Sequence, residues 1–292
     1  MGKRVNRAIA LLEGGQPVYY TGVGQVTYEG GKEAAQTWAD VLILDMEHGP
    51  FDLGALSQFM RGLVDGGPTR SGYRTPAVIV TVPATGRTLE EVRYNAWQFQ
   101  QVLDRGVHGI LLCHAQSPEA VRAFVEACRY PFHRQGVGEG LGEGRRGFGG
   151  QGPAAAIWGV SVPEYLEKAD PWPLNPKGEL LLGLKIENRW ALERAEESVR
   201  VPGIAFAEWG PGDMGMSLGF PERHDPPYPP EMQAARERVF RACRAAGIAF
   251  LEAATREEVV QKIRDGVRII ACRGGAEVAE EGRRFTGRGM SQ

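Results

Sequence analysis

Eight apolar, β-branched runs recur along this chain, and helical periodicity lies between most of them. The runs are PVYYTGV from Pro17, DVLILDME from Asp40, PAVIVTV from Pro76 and GILLCH from Gly109, then LLLGLKIE from Leu180, GIAFAEWG from Gly203, GIAFLEA from Gly247 and VRIIACR from Val267. Nearly continuous apolar runs of this length fit parallel strands covered on both faces. Between them, Val5, Ala8, Ile9 and Leu12 are spaced for one helix face, as are Leu53, Leu56, Phe59, Met60 and Leu63 after Asp52, a candidate N-cap. Val121, Phe124, Val125 and Cys128 repeat the pattern after Ser117-Pro118, and Thr255 to Glu258 reads as a capping box before Val259 and Ile263. Eight strands alternating with helices predict an α/β fold, a (β/α)8 TIM barrel. An open doubly wound sheet is the alternative, but it has fewer strands as a rule and a glycine fingerprint after the first, and none follows PVYYTGV. A chain of 292 residues fits one such domain spanning 1–292.

Composition removes several function classes. The net charge of −2 and the lack of a long basic run argue against nucleic acid or an anionic membrane as the main partner. No apolar run approaches a membrane span, and MGKRVNRAIALLEGG is too polar for a signal peptide. Cys113, Cys128, Cys243 and Cys272 form no CxxC pair and read as thiols of a reducing cytosol, so the expected location is cytoplasmic. Residues 136–152, GVGEGLGEGRRGFGGQG, read as a long mobile loop; without GK[ST] or a preceding strand they are not a phosphate loop.

The chemistry-bearing residues stand where a barrel puts its active site, at the C-terminal ends of strands. Asp45, Glu47 and His48 close the second run, Glu187 closes the fifth and Asp213 follows the sixth. Any one of them alone is most often a helix cap or a surface group; their convergence on one rim points to a ligand. Carboxylates without cysteine suit a hard divalent cation such as Mg²⁺ or Mn²⁺, with positions left for water and substrate. The other histidines carry less weight. His108 belongs to the opposite face, His133 and His224 to loops, and His114 closes the fourth run within reach of the rim. Trp97, Trp158, Trp172 and Trp190 read as packing residues, whereas Trp209, just before Gly210-Pro211-Gly212, is a candidate at the site.

Taken together, LILDMEHGPFD, ACRYP, RRGFG, LKIE and GPGDMGMSLG resemble the class II, metal-dependent pyruvate aldolases, within the 4-hydroxy-2-oxoheptanedioate aldolase and citrate lyase beta-like superfamily, from about Ala10 to Gly275. The resemblance implies that Glu187 and Asp213 hold a divalent cation (Mg²⁺ or Mn²⁺, with Co²⁺ as a third option). It implies that His48, oriented by Asp45, moves the substrate hydroxyl proton, and that the Gly212 amide holds the substrate carboxylate. It implies a homo-oligomer, typically a hexamer, with the C-terminal segment 276–292 packed on a neighbouring subunit. The chain departs from the family in three places. Thr81 stands where an arginine is usual, the segment 83–104 is longer, and Lys185 replaces an uncharged residue two positions before Glu187. Arg87 is the candidate to supply the missing charge, with Lys185 as its rival, sharing a strand face with Glu187.

The expected activity is therefore a reversible retro-aldol cleavage of a 4-hydroxy-2-oxo acid to pyruvate and an aldehyde. Oxaloacetate decarboxylation or cleavage of a CoA thioester would need the same carbanion. From a different class comes a barrel that binds an oxo acid without turnover.

Overall fold

The computed structural model describes residues 4–223 and 225–289. Its sheet contains β1 (Val18–Gly22), β2 (Val41–Asp45), β3 (Ala77–Thr81), β4 (Gly109–Leu112), β5 (Pro171–Trp172), β6 (Leu180–Lys185), β7 (Phe206–Glu208), β8 (Ala249–Ala254) and β9 (Ile269–Cys272). Every pairing is parallel; β1 pairs with β9, and a β4–β6 pairing joins Gly109 to Leu181 and so closes the barrel. The eight expected runs form the eight barrel strands. β5 is an additional two-residue strand, paired through Pro171 and Trp172 to the start of β6. It is too short to leave a hydrophobic period in the sequence.

Alternation along the strands divides the core in two. Val18, Val41, Ala77, Ile79, Leu111, Leu181, Phe206, Leu251 and Ile269 fill the barrel interior. The opposite faces, with Leu42, Leu44, Val78, Val80, Ile110 and Leu182, pack on the helices. Gly183 serves this interior directly, since a Cβ there would lie 2.2 Å from the Phe206 ring. Two caps read from the sequence are formed: Asp52 accepts from the amides of Gly54 and Ala55, and Ser117 from Ala120. Of the capping box only half is made: Glu258 accepts from the Thr255 amide, but the helix Val259–Asp265 starts after Glu258, without a side-chain cap. The long segment after β3 folds as two helices, Leu89–Tyr94 and Ala96–Leu103, with Asn95 between them.

The glycine-dense stretch differs from the expectation of a mobile loop. Arg146, 2 % exposed, pairs with Asp104 at 2.9 Å and with the Tyr165 hydroxyl at 2.8 Å. The Gly142 amide donates to Glu126, and a Cβ on Gly144 would strike the backbone of Arg129 and Tyr130. Asp104 precedes β4 and Arg129 follows the helix Pro118–Ala127, so the stretch is fastened at the N-terminal end of the strands. Side chains interspersed among the glycines anchor it, which a glycine count conceals.

The helix Ala276–Thr286 lies on its own barrel, burying Val278, Ala279 and Arg283. Just beyond it Arg288 donates to the Pro17 carbonyl and to Asp40; residues 290–292 fall outside the described residues. Among those described, no helix is long and apolar enough to cross a membrane, and the four cysteines are unpaired.

Candidate active site

The strand register brings the rim residues together. β2 ends at Asp45 opposite Thr81 of β3, and β6 ends at Lys185 opposite Glu208 of β7. Beyond β2 the chain curls around the Asp45 carboxylate, whose Oδ1 accepts from the amides of Glu47 (2.9 Å) and His48 (3.2 Å) and from the Thr81 hydroxyl (2.8 Å). Its Oδ2 lies 3.1 Å from Nδ1 of His48. Burial opposes ionisation of Asp45, but the hydrogen bonds from Thr81, His48 and Glu47 together hold its carboxyl below the usual range. The hydrogen bond to Asp45 raises the His48 imidazole above its ordinary value, against a smaller burial effect. Because Asp45 occupies Nδ1, Nε2 is the nitrogen left to exchange a proton.

A second cluster lies alongside. Glu187 Oε1 accepts from the backbone amide of His114 at 2.8 Å and lies 3.4 Å from its Nδ1, while His114 Nε2 lies 3.4 Å from Glu47 Oε1. Donor atoms of Glu47, His114 and Glu187 all fall within 4.8 Å of one another, as do those of Asp45, Glu47 and His48. Lys185 Nζ stands 3.5 Å from Glu47 Oε2 and 3.7 Å from Glu187 Oε2, so the lysine does point into the cluster. Burial pushes the Glu187 carboxyl up to about 7 in spite of that ammonium, and burial likewise raises Glu208 to about 7. Gly210, at φ +50°, lets the backbone pass close by; a Cβ would meet the Glu187 Cβ at 2.4 Å.

Asp213 sits in the first turn of the helix Pro211–Leu218 and belongs to neither three-residue donor set. It lines a cavity of about 590 Å³ with Arg87, His114, Gln116, Asn188, Trp190, Met216 and Ser217. Arg87 is exposed at this cavity. Gly212 is exposed with open space beside its α-carbon, and its amide lies in the helix turn where no helical carbonyl can accept it. Thr81 is 2 % exposed and its hydroxyl is spent on Asp45, which makes it a support of that acid. Trp209, read as a site residue, is 1 % exposed, sets its ring edge-on to Tyr228 and lines a second cavity at the strand ends, with Tyr20, Glu208 and Arg273.

Two residues were undervalued in the sequence. His114 joins the cluster because its φ of +48° turns the chain back over the barrel mouth, a left-handed conformation that nothing in LLCHAQ announces. Trp190, read as packing, is 48 % exposed at the cavity. The other histidines stay apart: His108 is buried beneath β3, accepting from the Val78 amide, and His133 faces the Leu166 carbonyl. His224 falls outside the described residues.

Barrel and rim together define a (β/α)8 protein whose ionisable groups are gathered at the C-terminal mouth. The family model described as HpcH/HpaI aldolase/citrate lyase matches residues 31–276, and the chain belongs to that family. It is 31% identical over 215 residues to a 2-keto-3-deoxy-L-rhamnonate aldolase of Klebsiella pneumoniae, covering 73% of this chain and 66% of that protein. It is 30% identical over 208 residues to a hydroxypyruvate/pyruvate aldolase of Deinococcus radiodurans, covering 71% and 62%. The matched stretch thus spans just under two thirds of each of these relatives. A crystal structure of an HpcH/HpaI aldolase/citrate lyase family protein from Burkholderia cenocepacia has the same fold, with a TM-score of 0.71 at 22% identity over 96% of this chain and 97% of that one.

Proposed function

We propose that the chain is a divalent-metal-dependent carbon–carbon lyase that cleaves a 4-hydroxy-2-oxo acid reversibly to pyruvate and an aldehyde. The observation that carries this reading is the meeting of Glu47, His114 and Glu187 beside the Asp45–His48 pair at one barrel mouth.

The residues fit a cation. Carboxylate oxygens with one imidazole suit Mg²⁺ or Mn²⁺, with Co²⁺ also accommodated. The raised Glu187 carboxyl marks a buried acid short of opposing charge, which Lys185 supplies only in part. Glu187 and Asp213 would hold the ion, with Glu47 and His114 within reach. When bound, it would supply Lewis-acid stabilisation of the charge that develops as the C3–C4 bond breaks.

The protein's own groups do the rest. His48 Nε2 takes the proton of the C4 hydroxyl, and Asp45 fixes the ring and favours the imidazolium that results. The Gly212 amide receives the substrate carboxylate. Arg87 reaches the oxo side from the cavity wall, and Lys185 tempers the acids around it. Four unpaired thiols fit a reducing cytoplasm, and a homo-oligomer, by resemblance a hexamer, is the proposed assembly.

The test is exchange of pyruvate C3 hydrogens in D₂O, followed by cleavage of a panel of 4-hydroxy-2-oxo acids. Exchange that needs Mg²⁺ or Mn²⁺ and stops with EDTA supports the reading. Metal binding without exchange would leave an oxo-acid-binding barrel. Release of CO₂ from oxaloacetate with no aldol cleavage would replace the lyase with a decarboxylase.

A further inference from the structure

The end of the barrel opposite the site holds an unbalanced cluster of charge. Asp40, immediately before β2, receives three arginines: Arg7 Nε at 3.1 Å, Arg283 Nη2 at 3.1 Å and Arg288 Nη2 at 2.7 Å. Its Oδ2 also accepts from the Tyr19 amide at 3.0 Å. All four charged side chains are buried, none more than 8 % exposed. Among the described residues no second carboxylate pairs with any of these arginines, so three guanidinium groups face one carboxylate. Burial pushes the Arg7 guanidinium down; Asp40 opposes this, while Arg288 and Arg283 add to it.

Neutral partners take up part of the demand. Arg283 Nη2 donates to the Trp38 carbonyl at 2.8 Å, and Arg288 Nη1 to the Pro17 carbonyl at 3.1 Å. Both guanidinium groups lie over the Tyr19 ring, at 5.3 and 5.2 Å from its centroid. Even so, Nε and Nη1 of Arg283 and Nε of Arg288 have no hydrogen-bond acceptor, and Arg7 Nε meets Asp40 only as an ion pair, without hydrogen-bond geometry. Buried donors of this kind are ordinarily satisfied, by protein or by a bound species. A hollow of about 20 Å³, lined by Arg7, Asp40, Thr69, Arg70, Ser71 and Arg283, opens beside them. One water needs about 10–15 Å³, so the hollow holds a single small particle. A water would offer an acceptor and no charge; an anion offers both.

We propose that this hollow binds one small inorganic anion of the halide class between Arg7 and Arg283. The anion pins the C-terminal helix Ala276–Thr286 to the barrel. Arg7 precedes the barrel and Arg283 belongs to the last helix, so one ion ties the two ends of the fold. The inference stands apart from the chemistry at the mouth.

The experiment compares melting temperatures of the full chain in sodium chloride and in sodium gluconate at matched ionic strength. Gluconate is too large for the hollow. A saturable rise in chloride that is absent in gluconate is expected, and Arg283→Met should remove the difference. Wild-type crystals soaked in bromide provide a readout that does not depend on that variant's folding: an anomalous peak between Arg7 and Arg283. Equal melting curves in the two salts with no such peak would overturn the site, because water or a carboxylate would then fill it. A rise that does not saturate up to molar salt would be a general salt effect and would overturn it equally.

Discussion

Thr81 donates a 2.8 Å hydrogen bond to Oδ1 of Asp45, the acid whose Oδ2 lies 3.1 Å from Nδ1 of His48. A strand-end hydroxyl on β3 thereby fixes the acid that orients the histidine. Thr81→Val keeps the shape and removes the donor. A hydrogen bond to a charged group is worth about 1.5–3 kcal/mol, so cleavage should slow roughly 10- to 100-fold with little change in KM. Thr81→Ser should recover most of the rate. If valine matches wild type in turnover, Thr81 has no part in positioning Asp45.

His48→Ala should lower cleavage by about 10²–10⁴-fold while Mn²⁺ binding persists. The proton-accepting form of His48 is neutral, and Asp45 raises its pKa. The rate should therefore climb with pH through a value above the ordinary 6.5. Asp45→Asn removes the largest cause of that shift, so the acid limb should move to lower pH while the plateau falls. A pH–rate profile unchanged by Asp45→Asn would separate the two residues.

The metal assignment has a sequence version, Glu187 with Asp213, and a spatial one, Glu47 with His114 and Glu187. Calorimetric titration with Mn²⁺ distinguishes them. Glu187→Gln should abolish binding in either case; Asp213→Asn should do so only in the first, and His114→Ala should weaken it strongly only in the second. Glu187 also makes stability depend on pH. Its folded carboxyl titrates near about 7 against an ordinary 4.5, so the metal-free fold binds a proton that the unfolded chain has already released. Stability of the apo protein should fall as pH rises from about 4.5 to about 7, and Glu187→Gln should flatten that slope. An apo melting temperature that rises across this interval by an amount Glu187→Gln abolishes would refute the sign.

Lys185→Met tests the lysine among the acids. Its ammonium lies within 3.7 Å of both Glu47 and Glu187, where it competes with any cation. Removing it should tighten Mn²⁺ binding several-fold. Arg87→Ala, at the cavity edge, should lower turnover by roughly 10²-fold, the smaller end of the range for an oxyanion donor. Measured with saturating metal, a silent Arg87→Ala beside a large Lys185→Met loss would transfer that role to the lysine.

The barrel was legible because each parallel strand, covered on both faces, must be almost wholly apolar, and eight such runs stand out against polar connections. The acids were legible for a related reason: Asp45, Glu47 and Glu187 interrupt apolar runs where a strand can end only at the mouth. His114 was harder, because its position depends on one left-handed backbone turn rather than on any pattern. The burial of Trp209 was not legible, because adjacency to the Gly210 turn says where the backbone goes and not which way the indole faces. The glycine-dense stretch misled, since Arg146 and Glu126 hold it through contacts 42 and 16 residues distant in sequence.

The register that sets Lys185 beside Glu208, with Glu47 and Glu187 close by, has a kinetic consequence. One ammonium among three carboxylates leaves a cluster that, once its acids ionise, carries net negative charge and repels an anionic oxo acid. A divalent ion bound there would cancel that excess charge. Encounter would then follow a compulsory order, cation first and oxo acid second, so that pyruvate titrated into metal-free protein gives no heat while the same titration after Mn²⁺ does.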